Sequence, residues 1–363
     1  MKKIIPILLI ALLAAAMIGC SSAQTAEPVV LASDPSAAAD TDSSVSGTQN
    51  ETSIVLDGSE AQIDGTGAQA DGAVVTVSSG GTYRLSGETT DGSITVDAAG
   101  EEVVLILSGV SIKNSSGPAV LIKEAETAIV TLADGTVNTL EDAGESDYDG
   151  ALYGCVSYTI NGNGTLNVNG TVEEGIASEM HLTIESGIIN IASSDDGINA
   201  NNDGISEIII NGGTLFIDSG GDGIDSNGSI EINGGEIVTF GSINDANGGL
   251  DADSGVAING GTVFAAGANI TLPAGSGQNF LAMNIEGQTG DTLSISADGT
   301  ELFSTELTQA CQTILFTSPD IADGVSYDVS LDGESQGSVT AEDSVSRQMG
   351  SPGRGGMRAN QAG

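Results

Sequence analysis

Gly197-Ile198-Asn199, Gly223-Ile224-Asp225 and Gly249-Leu250-Asp251 repeat one pattern: a glycine, a branched apolar residue, then an acid or amide, in successive steps of 26 residues. The series runs backwards, at slightly shorter steps, through Glu174-Gly175-Ile176 to Asp149-Gly150-Ala151. A fixed period of this size marks a chain wound into equivalent coils, each covering its neighbour's apolar face. Between the rungs lie Thr159-Ile160-Asn161-Gly162, Thr183-Ile184-Glu185-Ser186-Gly187, Ile209-Ile210-Asn211-Gly212-Gly213, Glu231-Ile232-Asn233-Gly234-Gly235 and Ala257-Ile258-Asn259-Gly260-Gly261. Their isoleucines step by 24, 26, 22 and 26. In each, a strand ends in a polar-glycine corner, where Asn and Gly both tolerate positive φ. Two or three short strands per turn, with variation confined to corners, describe an all-β parallel β-helix (solenoid) over residues 53–267. An antiparallel sandwich accounts for turns every ~8–12 residues but gives no reason for the long-range period.

The flanks differ. Residues 1–19 read as a lipoprotein signal peptide: Lys2 and Lys3, an apolar stretch over residues 4–18 with Pro6 inside it, then Met17-Ile18-Gly19-Cys20. The stretch is short for a membrane span. Gly19-Cys20 resembles a bacterial lipobox, so Cys20 is the expected acylation site, with membrane contact only through that anchor and the protein on the outer face of the cell membrane. Residues 20–52, rich in Ala, Ser, Thr, Asp and Pro, read as a flexible tether. The period decays after Ala268, and residues 268–343 form a C-terminal β module that closes the end of the solenoid. Residues 344–363 carry no strand signal and read as a disordered tail.

Charge narrows the partners. The chain holds 50 acids against 8 bases, a formal charge of −42, with no Lys or Arg between Glu124 and Ser346. Nucleic acid is excluded, because affinity there comes from cations facing phosphates. A chain this acidic repels itself or collects cations. Nothing in the sequence points to an obligate oligomer, and a monomer is expected.

Chemistry concentrates between Asp195 and Asp253, with twelve acids and no base. Asp195, Asp196, Asn199, Asn201 and Asp203 come first, Asp222, Asp225 and Asn227 follow one coil on, and then come Asp245, Asp251 and Asp253. Equivalent positions on adjacent coils stand about 4.8 Å apart. Two like charges at that distance repel by about 3–4 kcal/mol at an effective dielectric near 20. Stacked acidic rows therefore call for a countercharge. Ca²⁺ takes about six to eight oxygens from carboxylates, amides and carbonyls in loose geometry, whereas Mg²⁺ demands a tighter octahedron. Without His or Cys ligands in the region, transition metals are disfavoured. The competing explanation is a solvated face with Asx turns, since Asp and Asn favour corners for local reasons.

Other residues carry less. His181, the one histidine, is expected on the surface. Phe216, Phe240 and Phe264, 24 residues apart, are expected to form an internal stack rather than a sugar-stacking ladder. Tyr148, Tyr153 and Tyr158, clustered beside the acidic run, are the aromatic candidates for contacting a sugar, with Glu174 beside them. Cys155 and Cys311 are expected as two buried thiols, and no catalytic residue is expected.

An ordered set of blocks adds a family resemblance. It comprises Gly81-Thr82-Tyr83-Arg84-Leu85-Ser86-Gly87, Asp91-Gly92-Ser93-Ile94-Thr95-Val96-Asp97, residues 104–112 (VLILSGVSI), Ser116-Gly117-Pro118-Ala119-Val120, residues 130–140 (VTLADGTVNTL), the Asp-Gly-Ile rungs, Ser318-Pro319-Asp320 and Gly324-Val325-Ser326-Tyr327. Over residues 53–335 the chain resembles the clostridial polygalacturonate- and cellulose-binding β-helix family. The resemblance implies a right-handed, single-stranded parallel β-helix with several Ca²⁺ ions. It also implies a likeness of shape to pectate lyases and a role in holding plant cell-wall polysaccharide, acidic or neutral, at the bacterial surface. Family members often carry Lys or Arg after the Asp-Gly-Ile rungs. This chain has Asn, Asp, Ala or Ser there, which counts against a direct salt bridge to an acidic sugar.

The leading expectation is a non-catalytic, calcium-loaded polysaccharide-binding lipoprotein. A pectate-lyase-like enzyme is the rival, weakened because the acidic region has no Arg or Lys to act as base. A surface adhesin or scaffold, with the solenoid as spacer, is the third.

Overall fold

The computed structural model describes residues 51–144, 146–244, 247–275 and 277–342. The signal-like segment, Cys20, the tether up to residue 50, Asp245 and the tail from residue 343 lie outside them. Every regular element among the described residues is a β-strand. They build a β-solenoid of about seven turns and a separate antiparallel sheet near the C-terminus.

Three strands recur in each regular coil. The first rib contains Tyr158–Gly162, His181–Ile184, Glu207–Ile210, Ser229–Ile232 and Gly255–Ile258, each parallel to the next. The second contains Thr165–Gly170, Ile188–Ser193, Thr214–Ser219, Glu236–Phe240 and Thr262–Gly267. The third contains Glu174–Ser178, Ile198–Ala200, Ile224–Ser226 and Leu250–Ala252. Pairing is in register, so equivalent residues form columns. Ile160, Ile184, Ile210, Ile232 and Ile258 make one inward column, all at 0% exposure. Leu152, Ile176, Ile198, Ile224 and Leu250 make another. Each such side chain contributes roughly 1.5–3 kcal/mol by leaving water. The repeat read from the sequence is this stacking.

Corners are solved column by column. Between the first and second ribs, glycines take the positive φ, as at Gly213 (98°), Gly235 (97°) and Gly261 (87°). The asparagines before them do not share that role. They form an amide ladder instead: Asn211 Nδ2 donates to Glu185 Oε1 (3.0 Å), Asn233 Nδ2 to Asn211 Oδ1 (2.9 Å) and Asn259 Nδ2 to Asn233 Oδ1 (2.8 Å). Between the second and third ribs, Gly175, Gly197, Gly223 and Gly249 are required for a different reason. A Cβ on Gly197 would stand 2.2 Å from Ile217 Cγ2 and 2.5 Å from the Gly223 carbonyl oxygen. The chain turns so tightly there that its backbone lies against the second rib.

The phenylalanines form the expected covered stack, but in a second core outside the solenoid rather than within it. Period-two alternation sends their neighbours Leu215, Ile217, Ile237 and Val263 inward, and Phe216, Phe240 and Phe264 therefore face outward. They still leave water, because the C-terminal module roofs that flank. Ring centroids run 6.0 Å from Phe216 to Phe240, 5.8 Å to Phe264, 5.1 Å on to Phe303 and 4.9 Å on to Phe316. Gln309 Nε2 donates to the Ser219 carbonyl (2.7 Å) and to Asp218 Oδ1, pinning the module to a coil well before the last.

Both ends of the solenoid are covered. Antiparallel hairpins, Thr52–Asp57 with Glu60–Asp64 and Ala68–Asp71 with Val74–Val77, cover the start. Cys311–Thr317 adds antiparallel to Thr262–Gly267 at the finish, and Phe280–Gly287 adds to Cys311–Thr317. Residues 268–275 cross the remaining edge, with Thr271 N bonded to Leu250 O and Ala274 N to Val256 O. Such covers remove open sheet edges that invite association. Cys155 and Cys311 are both free thiols, the first half-buried and the second buried.

The tight glycine column predicts a position-specific cost. Gly197→Ala should destabilise by about 1–3 kcal/mol through overpacking. Gly277→Ala, where a Cβ meets nothing within 4 Å, should stay within about 0.5 kcal/mol of the parent. Denaturant midpoints of the two variants check this.

Candidate metal centre

Two columns of acids meet the corner between the second and third ribs. The residue two places before each inward Ile or Leu forms the column Glu174, Asp196, Asp222 and Gly248, and the residue one place after it forms Asn199, Asp225 and Asp251. In the first column each aspartate caps the backbone of the next coil. Asp196 Oδ1 accepts from Asp222 N (2.7 Å), and Asp222 Oδ1 accepts from Gly248 N. Asn199 Nδ2 donates to Asp196 Oδ2 (2.7 Å), while Asn199 Oδ1 is buried with no hydrogen-bond partner among the described residues. Asp251 Oδ1 accepts from Ala252 N (2.9 Å) and Thr271 Oγ1 (2.7 Å). Carboxylate oxygens of Asp222, Asp225 and Asp251 lie within 4.8 Å of one another.

The electrostatics follow from burial and stacking. Asp196 is pushed up to about 6 by burial, with Asp195 and Asp251 adding to the rise against its bonds to Asp222 N and Asn199. Asp222 rises to about 7 by burial and then by Asp196 and Asp251, although the Gly248 amide favours its anion. Asp225 rises to about 8 by burial and then by Asp196, Asp222, Asp251 and Asp253. Glu174 rises to about 9 by burial and then by Asp149 and Asp196. Acids so close titrate as a set. A cation is the one neighbour that would let all of them ionise together. The donors are carboxylate and amide oxygens, which suit Ca²⁺. The cations in ion pairs among the described residues, Arg84, Lys113 and Lys123, bond Glu51, Glu141 and Asp97 on earlier coils.

The sequence-selected residues separate into groups. Asp196, Asn199, Asp222, Asp225 and Asp251 come together. Asp195 is exposed, one position behind Asp196. Asn201, Asp203 and Asn227 sit at the far end of the three-residue strands, where Asn227 Nδ2 donates to Asn201 O (2.8 Å) and Asp203 Oδ1 (3.2 Å). Asp253 is exposed at that same end. A three-residue strand spans about 10 Å, so the set divides into one acid corner and a separate amide corner. Asp245 lies outside the described residues.

The sugar contacts need correction as well. Tyr153 is 2% exposed, and its hydroxyl donates to Glu179 Oε1. Burial, then that bond, raises its pKa. Its ring is withdrawn from any sugar, and so is that of Tyr158, 3% exposed with its hydroxyl donating to the Ala177 carbonyl (3.0 Å). Tyr148 packs on Tyr153 with centroids 5.2 Å apart. Glu174 is 6% exposed and faces acids rather than solvent. His181 is half-buried, with Nδ1 enclosed and unpartnered among the described residues. Asp149 and Glu173, which the sequence reading passed over, stand with Glu174 in a second acidic group. Asp149 opens a rung of the repeat as read from spacing, but the strands pair Gly150 with Glu174 rather than Gly175, a register that spacing alone did not give.

A family model and a known protein similar to this chain share one description. A family model described as "Carbohydrate-binding domain-containing protein" matches residues 71–305, well over half of the chain. A protein of Acetivibrio thermocellus with the same description is 36% identical over 126 residues, covering 32% of this chain and 44% of that one. The chain thus spans less than half the length of that relative. Among solved structures, the gadolinium derivative of a polysaccharide lyase-like protein from C. thermocellum is similar at 30% identity and a TM-score of 0.48, over 59% of this chain and 93% of that one.

Raised acid pKa values fix the sign of a pH effect. Between the ordinary carboxylate range near 4 and raised values of about 6 to 9, the folded state binds more protons than the unfolded chain. Stability of the metal-free protein must therefore fall as pH rises through that window. Melting temperatures of stripped protein across it should decline, and the pair Asp222→Asn with Asp225→Asn should flatten the decline. An equal slope in that variant would place the effect in the general charge of the chain.

Proposed function

This chain belongs to the carbohydrate-binding domain-containing protein family, and from that premise we propose that it binds acidic plant cell-wall polysaccharide through calcium held on the acid corner. The observation that carries this reading is the cluster of Asp222, Asp225 and Asp251, with oxygens within 4.8 Å of one another and Asp251 exposed. A surface this anionic repels polygalacturonate by itself. Ca²⁺ bound at these side chains would reverse the local charge and accept a uronate carboxylate where the protein leaves coordination open. Asp222 and Asp225 supply half-buried anchoring oxygens, Asp196 and Asn199 brace them, and Asp251 stands on the solvent side.

The binding is non-catalytic. Removal of a sugar's C5 proton needs a base, and the acid corner lies in a stretch without Lys or Arg. Acylation at Cys20, outside the described residues, would hold the solenoid at the outer face of the cell membrane.

Polygalacturonate binding should disappear when the protein is stripped of divalent metal and return with Ca²⁺. Asp225→Asn should weaken it by about tenfold or more, which corresponds to about 1.4 kcal/mol. Affinity electrophoresis in polygalacturonate gels reads both, and mobility shifts that ignore chelation would remove calcium from the mechanism. No unsaturated uronate should accumulate by ultraviolet absorbance.

A further inference from the structure

We infer that Asp149, Glu173 and Glu174 form a second divalent-cation site, deeper than the first, which fastens the segment before Gly150 to the coils beneath it. Carboxylate oxygens of these three residues lie within 4.8 Å of one another. A cluster of acids alone would mean little. Here Glu174 is 6% exposed, and its Oε2 is buried without a hydrogen-bond partner among the described residues. Asp149 Oδ1 is buried and unpartnered in the same way. Two carboxylate oxygens turned away from water and without a hydrogen bond among the described residues carry a desolvation penalty that those residues do not offset.

The geometry explains why the protein offers no other partner. Asp196 and Asp222 satisfy one oxygen each on the backbone N–H of the next coil. Glu174 stands one rung earlier in the same column and is one methylene longer, and no such bond joins its Oε2. Its backbone N–H donates to Asp149 O (2.7 Å), and Glu173 O accepts from Asp195 N (2.9 Å). Adjacent coils are thus clamped by the ladder while their carboxylates converge. Lys123, a base near this end, is bound to Asp97 (2.9 Å).

Three carboxylates with no sulfur or imidazole among them select a hard cation, and loose geometry with up to six carboxylate oxygens favours Ca²⁺ over Mg²⁺. Glu173 is the exposed member, so solvent reaches the site from its side. Occupancy would tie Asp149, and with it Tyr148, to the Glu173–Glu174 corner. Tyr148 packs on Tyr153, and Tyr153 bonds Glu179. The ion is therefore structural, and a chain that bound no polysaccharide would still carry it.

The tyrosines supply a readout. The protein has no Trp, so Tb³⁺ placed beside Tyr148 and Tyr153 is excited through tyrosine. The full chain is stripped of metal, then titrated with Ca²⁺ for bound-metal analysis and with Tb³⁺ for emission under tyrosine excitation. Glu174→Gln keeps the shape of the side chain and removes the charge. It should bind about one ion fewer per chain, lose most tyrosine-sensitised emission, gain less melting temperature from Ca²⁺, and retain calcium-dependent polygalacturonate binding. Asp149→Asn should reproduce this result, whereas Asp225→Asn should keep the emission and lose the glycan. Full ion count and emission in both Glu174→Gln and Asp149→Asn would overturn the site. Loss of glycan binding together with the ion in both would overturn its separateness from the carbohydrate-facing cluster.

Discussion

In-register stacking at about 4.8 Å between coils is the constraint on which the rest of the molecule depends. It turns each choice of residue into a column of similar choices, and the column decides whether the repetition stabilises or destabilises. Isoleucine columns bury one another at no electrostatic cost. An asparagine column is self-satisfying because each amide carries both donor and acceptor, as in Glu185, Asn211, Asn233 and Asn259. A carboxylate column has acceptors only. Asp196 and Asp222 borrow donors from the next coil's backbone, and Glu174 Oε2 finds none among the described residues.

Much of the fold was legible because solenoid periodicity is written directly into the chain. The positions of Ile160, Ile184, Ile210, Ile232 and Ile258 fixed the coil length, and the structure stacks them without slippage. The Gly-Ile rungs likewise marked the third rib, although the steric reason for their glycines lies in the approach of the second rib. Legibility failed where a long-range partner decides burial. Phe216, Phe240 and Phe264 read as core by composition, yet alternation turns them outward and a distant module covers them. Nothing near them in sequence announces Phe303 or Phe316.

The acid corner was legible in type and only partly in extent. Sequence spacing placed Asp196, Asn199, Asp222, Asp225 and Asp251 on successive coils, and the columns hold them together. It did not separate them from Asn201, Asp203 and Asn227, because the strand lying between is just three residues long and leaves no break in composition. Tyr148 and Tyr153 looked surface-bound for the opposite reason. Tyr153 is buried and bonds Glu179, and Tyr148, half-buried, packs on its ring, contacts that no local pattern announces.

A stacked carboxylate column is a poor choice for stability in the absence of metal and a precise one for holding a cation. The ladder bonds that raise the density of charge also fix where it points. Each aspartate with one oxygen anchored to the neighbouring backbone has its other oxygen aimed by the first, so little side-chain freedom remains to be lost on binding. The glycine column contributes to the same end, because only residues without a Cβ let the chain lie close enough to the second rib for the acids to converge at the corner. Repulsion between neighbouring rungs is then energy released when a divalent ion arrives, and it is released between coils rather than within one. Ion binding on such a column is therefore coupled to the stacking of the solenoid itself.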